Sequence, residues 1–237
     1  MNELHASLLN TPLLAVALTL SAYLGGIHLF ERLGRPSWCP AVLIGAVLTA
    51  ASLWLLRYGY ADYQRNVAWL TLLLGPATVA LAVPLYQQRQ HIFALWKPIL
   101  CCLPLAAALA ALYAVLIAWL LGAPPVVLAS LAPKSVTAPL AIGIQEQIGG
   151  SLSLMLGGLL MTGVLTTIFV SLLARALKVT DQCILGFALG VNGHAIGIIR
   201  AFEISPRAGA FASLGMSLTG VFTALFLPLV WRLLPLV

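Results

Sequence analysis

Apolar residues run in long blocks along this chain, and polar residues gather in short joints between them. No block alternates at period two, which excludes transmembrane strands and leaves helices. The first block covers residues 11–30 and ends at Glu31, Arg32 and Arg35. The second covers 38–56 and ends at Arg57, before a joint that carries Asp62 with Tyr58, Tyr60 and Tyr63. The third covers 66–86, interrupted by Gly75, Pro76 and Pro84, and a polar joint with Arg89 and His91 follows. The fourth covers 98–121, and a tight turn from Gly122 to Pro125 leads into the fifth, 126–147. The sixth covers 151–174 and ends at Arg175 and Lys178; the seventh covers 182–199 and ends at Arg200 and Glu203; the eighth begins at Arg207 and ends near Leu233. Most reach the roughly 20 residues that a helical span needs. The pattern predicts an all-α polytopic membrane protein of about seven to eight transmembrane segments. Broken or re-entrant helices would sit in a transporter-like bundle, within one integral membrane domain over residues 1–237.

Composition supports that class. The chain is 62% hydrophobic and 8% charged, with a mean hydropathy of +1.05, against about 25% charged residues in soluble domains. It could not cover itself with polar surface. The net charge of +6 arises from 12 Lys+Arg against 6 Asp+Glu. In such a chain this excess reads as loop charge holding orientation, and no nucleic-acid partner is expected. Cys39, Cys101, Cys102 and Cys183 show no metal-type spacing and read as buried thiols. No basic stretch precedes the first block, so it reads as a membrane span rather than a cleaved signal.

The fifth block holds the chemistry. Its PKSVTAP stretch places Lys134, Ser135 and Thr137 between Pro133 and Pro139. Each proline removes a backbone donor and disfavours helix in the residue before it. A lysine at mid-bilayer depth costs roughly 2.5–3.5 kcal/mol on insertion scales, so such a residue usually has a job. Two readings are open at this point: an anion-binding element lining a watery cavity, or a lysine snorkelling to the headgroups from a short loop. Pro76 and Thr78 in the third block echo the proline–hydroxyl pairing of Pro133 and Ser135. Glu146 would be a proton or cation site, or a loop anion. If the fifth block dips in and returns, Arg32, Arg35, Arg89, Lys97, Arg175, Lys178 and Arg232 share one face. The positive-inside rule then puts residue 233 in the cytoplasm.

The seventh and eighth blocks carry a packing signal. Gly186, Gly190, Gly193 and Gly197 fall on one face of a straight helix, as do Gly209, Ser213, Ser217 and Gly220. Small residues at this spacing let membrane helices approach closely. Asn192 and His194 lie within the same apolar stretch, and an intramembrane histidine is a functional candidate or an interhelical hydrogen-bonding group.

Five stretches together, LGPATVALAVPLY (74–86), LAPKSVTAPLAI (131–142), IGG (148–150), GHAIG (193–197) and GAFASLGM (209–216), resemble the LrgB/CidB family in order and spacing. The sequence departs from that pattern at Ile198 and Ile199, where a Thr-Ala pair is usual, at Ala138, Ala212, and at Ser151-Leu152. The resemblance implies one of two functions. One is an antiholin-like role in murein hydrolase export and cell lysis, with a small LrgA/CidA-type membrane partner. The other, implied by the family's likeness to plastidal glycolate/glycerate translocators, is transport of a small 2-hydroxy- or 2-oxo-monocarboxylate such as glycolate, pyruvate or lactate. The broken helix favours the carrier, because a carboxylate needs a cation or a helix N-terminus aimed at it. Pro133, Lys134, Ser135, Thr137 and Pro139 would hold the anion, with Pro76, Thr78, Asn192 and His194 completing the pocket. His194 and Glu146 are the candidates for proton coupling. The expected setting is the bacterial inner membrane, multi-pass, as a homo-oligomer, most simply a dimer. No cofactor, no metal and no enzymatic activity are expected, since no nucleophile–base pair, metal cluster or phosphate loop stands in the sequence.

Overall fold

The computed structural model describes residues 11–36, 39–73, 76, 79–80, 82–87 and 89–233, and all regular structure among them is helical. The chain divides into two compact units, Met1–Ala82 and Val83–Val237.

In the first unit, α1 (Pro12–Arg32) packs against α2 (Ala41–Leu55). The crossing is set by small residues. A Cβ built at Gly26 would sit 2.8 Å from both the Ala41 carbonyl oxygen and the Gly45 amide, so the two backbones touch. α3 (Tyr60–Val67) is tied to α1 through a 2.8 Å hydrogen bond between Thr19 Oγ1 and the Tyr63 hydroxyl. A 3-10 segment, Ala68–Leu73, follows. The third apolar block, read from sequence as interrupted, gives among its described residues the end of α3, this 3-10 segment, helical positions 76 and 79–80, and the short α4 (Ala82–Gln87).

The second unit contains α5 (Arg89–Ala94), α6 (Trp96–Leu120), α7 (Pro125–Leu131), α8 (Ala138–Ile148), α9 (Leu152–Ala176), α10 (Gln182–Ile204) and α11 (Pro206–Leu233). Among the described residues, α1, α6, α9, α10 and α11 are long and apolar enough to cross a membrane. Length alone misleads for α10. Its backbone breaks at His194, where φ is 41° and ψ is −133°, and the two halves fold back on each other. Gln182 Oε1 accepts a 2.9 Å hydrogen bond from Ser205 Oγ, joining the two ends of the element. Nearer the break, a Cβ built at Gly197 would fall on the Leu189 carbonyl oxygen. In a straight helix, residues 182 and 205 would be about 34 Å apart. The seventh block is therefore a helical hairpin and not a crossing, each half about 15–18 Å long.

The fifth block also returns on itself. The Ser151 amide donates to Ser130 Oγ at 2.8 Å, so the chain leaves Ser130, passes through residues 131–150 and comes back to the same level. Ser130 is fully buried, and a Cβ at Gly150 would lie 3.0 Å from its amide, which accounts for glycine there. This is the dipping and returning path considered for the fifth block in the sequence.

Two apolar clusters mark opposite ends of the unit. One gathers Val115 and Ala118 from the end of α6, Leu128 from α7, Ile148 from α8, Met155 from the start of α9, and Trp231 from the end of α11. The other gathers Ile99 from the start of α6, Cys183 from the start of α10, and Phe211 from the start of α11. The base of the second hairpin is capped as well. Asp181 Oδ1 accepts from the amides of Cys183 (2.7 Å) and Ile184 (3.4 Å), and the Cys183 bond leads in holding this carboxyl below its usual range.

Candidate functional site

The first hairpin tip follows from its prolines. α7 ends at Leu131, and Pro133 cannot continue its hydrogen-bond ladder. The chain passes instead through tight turns, with Lys134 N bonded to Leu131 O and Val136 N to Pro133 O, both at 3.2 Å. α8 then starts from Thr137, with Pro139 in its first turn. No side chain caps this start, so the Ala138 and Leu140 amides lack intrahelical partners. The positive end of the α8 dipole thus lies beside the turn.

Lys134 stands in that turn and is only 5% exposed. Its Nζ donates to the Tyr113 hydroxyl on α6 at 2.7 Å and to Ser135 Oγ at 3.0 Å. It also lies 4.1 Å from the centroid of the Tyr113 ring. Among the described residues the ion pairs are Arg35–Glu31, Arg65–Asp62 and Arg200–Glu203, so no carboxylate balances this buried amine. The snorkelling reading does not fit a lysine enclosed in this way.

The second tip is the His194 break. A positive φ with this ψ matches the first central residue of a type II′ turn, a place that favours glycine. His194 holds it, strained, with Gly193 beside it. The imidazole is 6% exposed, and its Nε2–H donates to the Leu159 carbonyl at 2.8 Å. That bond puts the proton on Nε2 in the neutral ring.

Both tips meet α9 within a short stretch. A Cβ at Gly158 would lie 3.0 Å from Leu131 Cδ2 and 4.0 Å from Lys134 Cβ. Leu159 supplies the carbonyl for His194, and a Cβ at Gly163 would lie 3.0 Å from His194 Cε1. A Cβ at Gly193 would lie 3.1 Å from Thr166 Cγ2. Gly158 to Gly163 is about 7.5 Å of helix, so the amine and the imidazole approach α9 roughly one and a half turns apart. The site thus offers a buried cation, a helix N-terminus, an imidazole and the buried polar flank of α9, Thr162 and Thr166.

The other predicted residues are placed unevenly. Pro133 and Ser135 are buried in the first tip; Thr137 is half-buried and Pro139 exposed at the start of α8. Asn192 folds back on its own helix, its Nδ2 donating to Ala188 O at 3.3 Å. Glu146 is exposed near the far end of α8, about 12 Å along the helix from the tip, and is not brought to the site. Pro76 is exposed and belongs to the first unit, and Thr78 lies outside the described residues.

The small-residue stripes divide among several neighbours. Cβ atoms at Gly186 and Gly190 would fall on the carbonyl oxygens of Ala208 and Ala212 of α11. Gly193 faces α9 and Gly197 faces Leu189, because the chain reverses between Gly190 and Gly197. On α11, Gly209 lies against the Phe202 ring and Gly220 against Leu140 Cδ1, while Ser213 and Ser217 bond back to Gly209 O and Ser213 O. The expectation that Gly186, Gly190, Gly193 and Gly197 share one face holds only for a straight helix, and the break removes it.

Tyr113, Thr162 and Thr166 were not singled out from sequence. Thr162 and Thr166 stand four apart in an apolar block, and Tyr113 is a lone hydroxyl among alanine and leucine, signals that could have found them. Among the described residues no group of three or more His, Cys, Asp or Glu side chains lies together as a metal site.

Residues 19–233 match the LrgB-like family. An uncharacterized protein of Haemophilus influenzae is 34% identical over 192 residues, 81% of this chain and 83% of the relative. The uncharacterized protein YxaC of Bacillus subtilis is 33% identical over 92% of this chain and 94% of its own length. The antiholin-like protein LrgB of Bacillus subtilis is 26% identical over 94% of this chain and 97% of its own length. No solved structure matches the chain.

Proposed function

This chain belongs to the LrgB-like family, and from that premise we propose a function at two levels. At the coarser level it is an antiholin-like protein of the bacterial inner membrane, modulating murein hydrolase export and lysis with a small LrgA/CidA-type partner. The names of its relatives in Bacillus favour this reading more directly than any other. At the molecular level it carries a small 2-hydroxy- or 2-oxo-monocarboxylate, and it is a carrier rather than an enzyme.

One observation carries the finer reading: Lys134 is buried at a hairpin tip beside the start of α8, with no carboxylate among the described residues to balance it. A monocarboxylate supplies the missing charge, accepting from Lys134 Nζ, Ser135 Oγ and the free α8 amides. His194 is the group at the second tip able to take up a proton with it. A dimer of such subunits is the expected assembly.

Proteoliposomes of the purified protein, given labelled glycolate, pyruvate and lactate with and without a pH gradient, test this. Saturable uptake of one of them is expected. Stepwise conductance without saturable uptake would remove the carrier reading and leave the antiholin-like one.

A further inference from the structure

We infer that the two hairpins enter the membrane from opposite faces, residues 125–148 from outside and residues 182–204 from the cytoplasm. The carboxylate site would then be reached from each face past a different hairpin. Three observations lead there. First, each hairpin closes on itself, through Ser130 with Ser151 and through Gln182 with Ser205, so each begins and ends at one face. Second, α9 separates the two bases. It starts at Leu152, next to the return of the first hairpin, and ends at Ala176, just before the second. Its 25 residues are about 37 Å long, enough to cross the ~30 Å hydrocarbon core. Third, the two apolar clusters group the helix ends in the same way, the end of α6 and the end of α11 with the first hairpin, their starts with the base of the second.

Charge then gives the orientation. Arg89, Lys97, Arg175, Lys178, Arg200 and Arg207 all fall at the face of the second hairpin. Among the described residues of this unit, the other cations are Arg232, near a helix end at the opposite face, and Lys134, inside the tip. The positive-inside rule makes the basic face cytoplasmic. This reverses the side expected for residue 233, because the fold-back of α10 moves Arg200 and Arg207 across to join Arg175 and Lys178. His194 is thus delivered to the site from the cytoplasmic side and Lys134 from the outer side, both tips meeting near the middle of α9.

Only the access half of this inference rests on the carboxylate reading. Labelling of single cysteines tests the topology without transport, so either can fail alone. On a background with Cys39, Cys101, Cys102 and Cys183 replaced by alanine, Leu121→Cys, Gln147→Cys, Thr180→Cys and Ile204→Cys sit at exposed positions. Spheroplasts are treated with a membrane-impermeant maleimide before and after permeabilisation, each signal normalised to denatured protein. Leu121→Cys and Gln147→Cys should label in intact spheroplasts; Thr180→Cys and Ile204→Cys should label only after permeabilisation, a change of at least about tenfold in the ratio. If Thr180→Cys and Ile204→Cys label from different faces, α10 crosses and the second hairpin is wrong. A split between Leu121→Cys and Gln147→Cys would dispose of the first. Reversal of all four would overturn the orientation.

Discussion

The two hairpins of the second unit reach the same outcome by different chemistry. The first is broken by its own residues: Pro133 removes an amide, Pro139 sits in the first turn of the return helix, and the reversal is spread over residues 132–137. The second turns at one residue, His194, which is not glycine or proline and takes a conformation that favours glycine. What holds it there is tertiary: the Leu159 carbonyl on the imidazole, Leu189 against Gly197, and Gln182 against Ser205. A local breaker makes a hairpin that forms wherever the segment goes. A hairpin made by distant contacts depends on its surroundings, and its strained residue stores roughly 1–3 kcal/mol. The contrast predicts that the second hairpin is the more fragile of the two.

The largest effect should come from Gly197→Ala. In a straight helix this exchange would stabilise by roughly 0.5–1 kcal/mol. In the hairpin the new Cβ falls on the Leu189 carbonyl, a backbone atom that no rotamer change can move. Overpacking of this kind costs about 1–3 kcal/mol, occasionally more, so a clear drop in melting temperature is expected. Gly157→Ala is the control, since nothing lies within 4 Å of its Cβ. Thermal unfolding of both in detergent decides: equal stability of Gly197→Ala and wild type would mean that α10 is not folded back.

Next comes Lys134. Hydrogen bonds to charged groups contribute about 1.5–3 kcal/mol, so Lys134→Ala should weaken carboxylate binding roughly 10- to 100-fold while the protein stays monodisperse. Lys134→Arg should recover part of it, because a planar fork does not replace a compact ammonium. Tyr113→Phe removes the 2.7 Å hydrogen bond and keeps the ring under the amine, so a loss of no more than about tenfold is expected. Uptake kinetics of the three variants give the order, and unchanged uptake by Lys134→Ala would end the carboxylate assignment.

His194 should show a smaller effect on binding and a specific one on coupling. His194→Gln keeps a donor for the Leu159 carbonyl but cannot titrate. Exchange between equally loaded faces should stay within about twofold of wild type, while uptake driven by a pH gradient is lost. His194→Gly relieves the backbone strain and removes the bond, so its stability should stay within about 1 kcal/mol of wild type. Gradient-driven uptake by His194→Gln at the wild-type rate would make His194 a structural residue.

The difference between the hairpins also explains what the sequence made legible. The break at Pro133 could be read because a missing amide is a property of one residue. The break at His194 could not. Residues 182–199 carry helical periodicity throughout, and the partners that fold them back, Leu159 and Ser205, lie outside the block. The glycine stripe was visible but its meaning depended on that unseen reversal. Lys134 was legible as a charge inside an apolar block, but its burial and its partner Tyr113 needed the approach of α6, a contact 21 residues away in sequence.

The smallest effect, and the one that separates the hairpin bases, concerns pH. The second hairpin begins with the Asp181 cap, whose carboxylate accepts two amide bonds. The first begins at Pro124 and Pro125, with no side-chain cap. Asp181 lies outside the apolar helix and titrates below its usual range, chiefly through the Cys183 amide, with Arg207 adding to the effect. A carboxyl held low in the folded state contributes stability that is complete above the unfolded-state value of about 3.9. That contribution disappears as pH falls through the folded value. Asp181→Ala should therefore lower the melting temperature slightly at pH 7, and the charge-dependent part of that difference should vanish once pH falls below the folded-state value. The gap between the two melting curves should narrow on acidification. Since a cap on an exposed residue acts locally, the loss should appear as faster amide exchange at Cys183 and Ile184, with residues 125–131 unaffected. A constant gap across the acid range would show that Asp181 holds the second hairpin by something other than its charge.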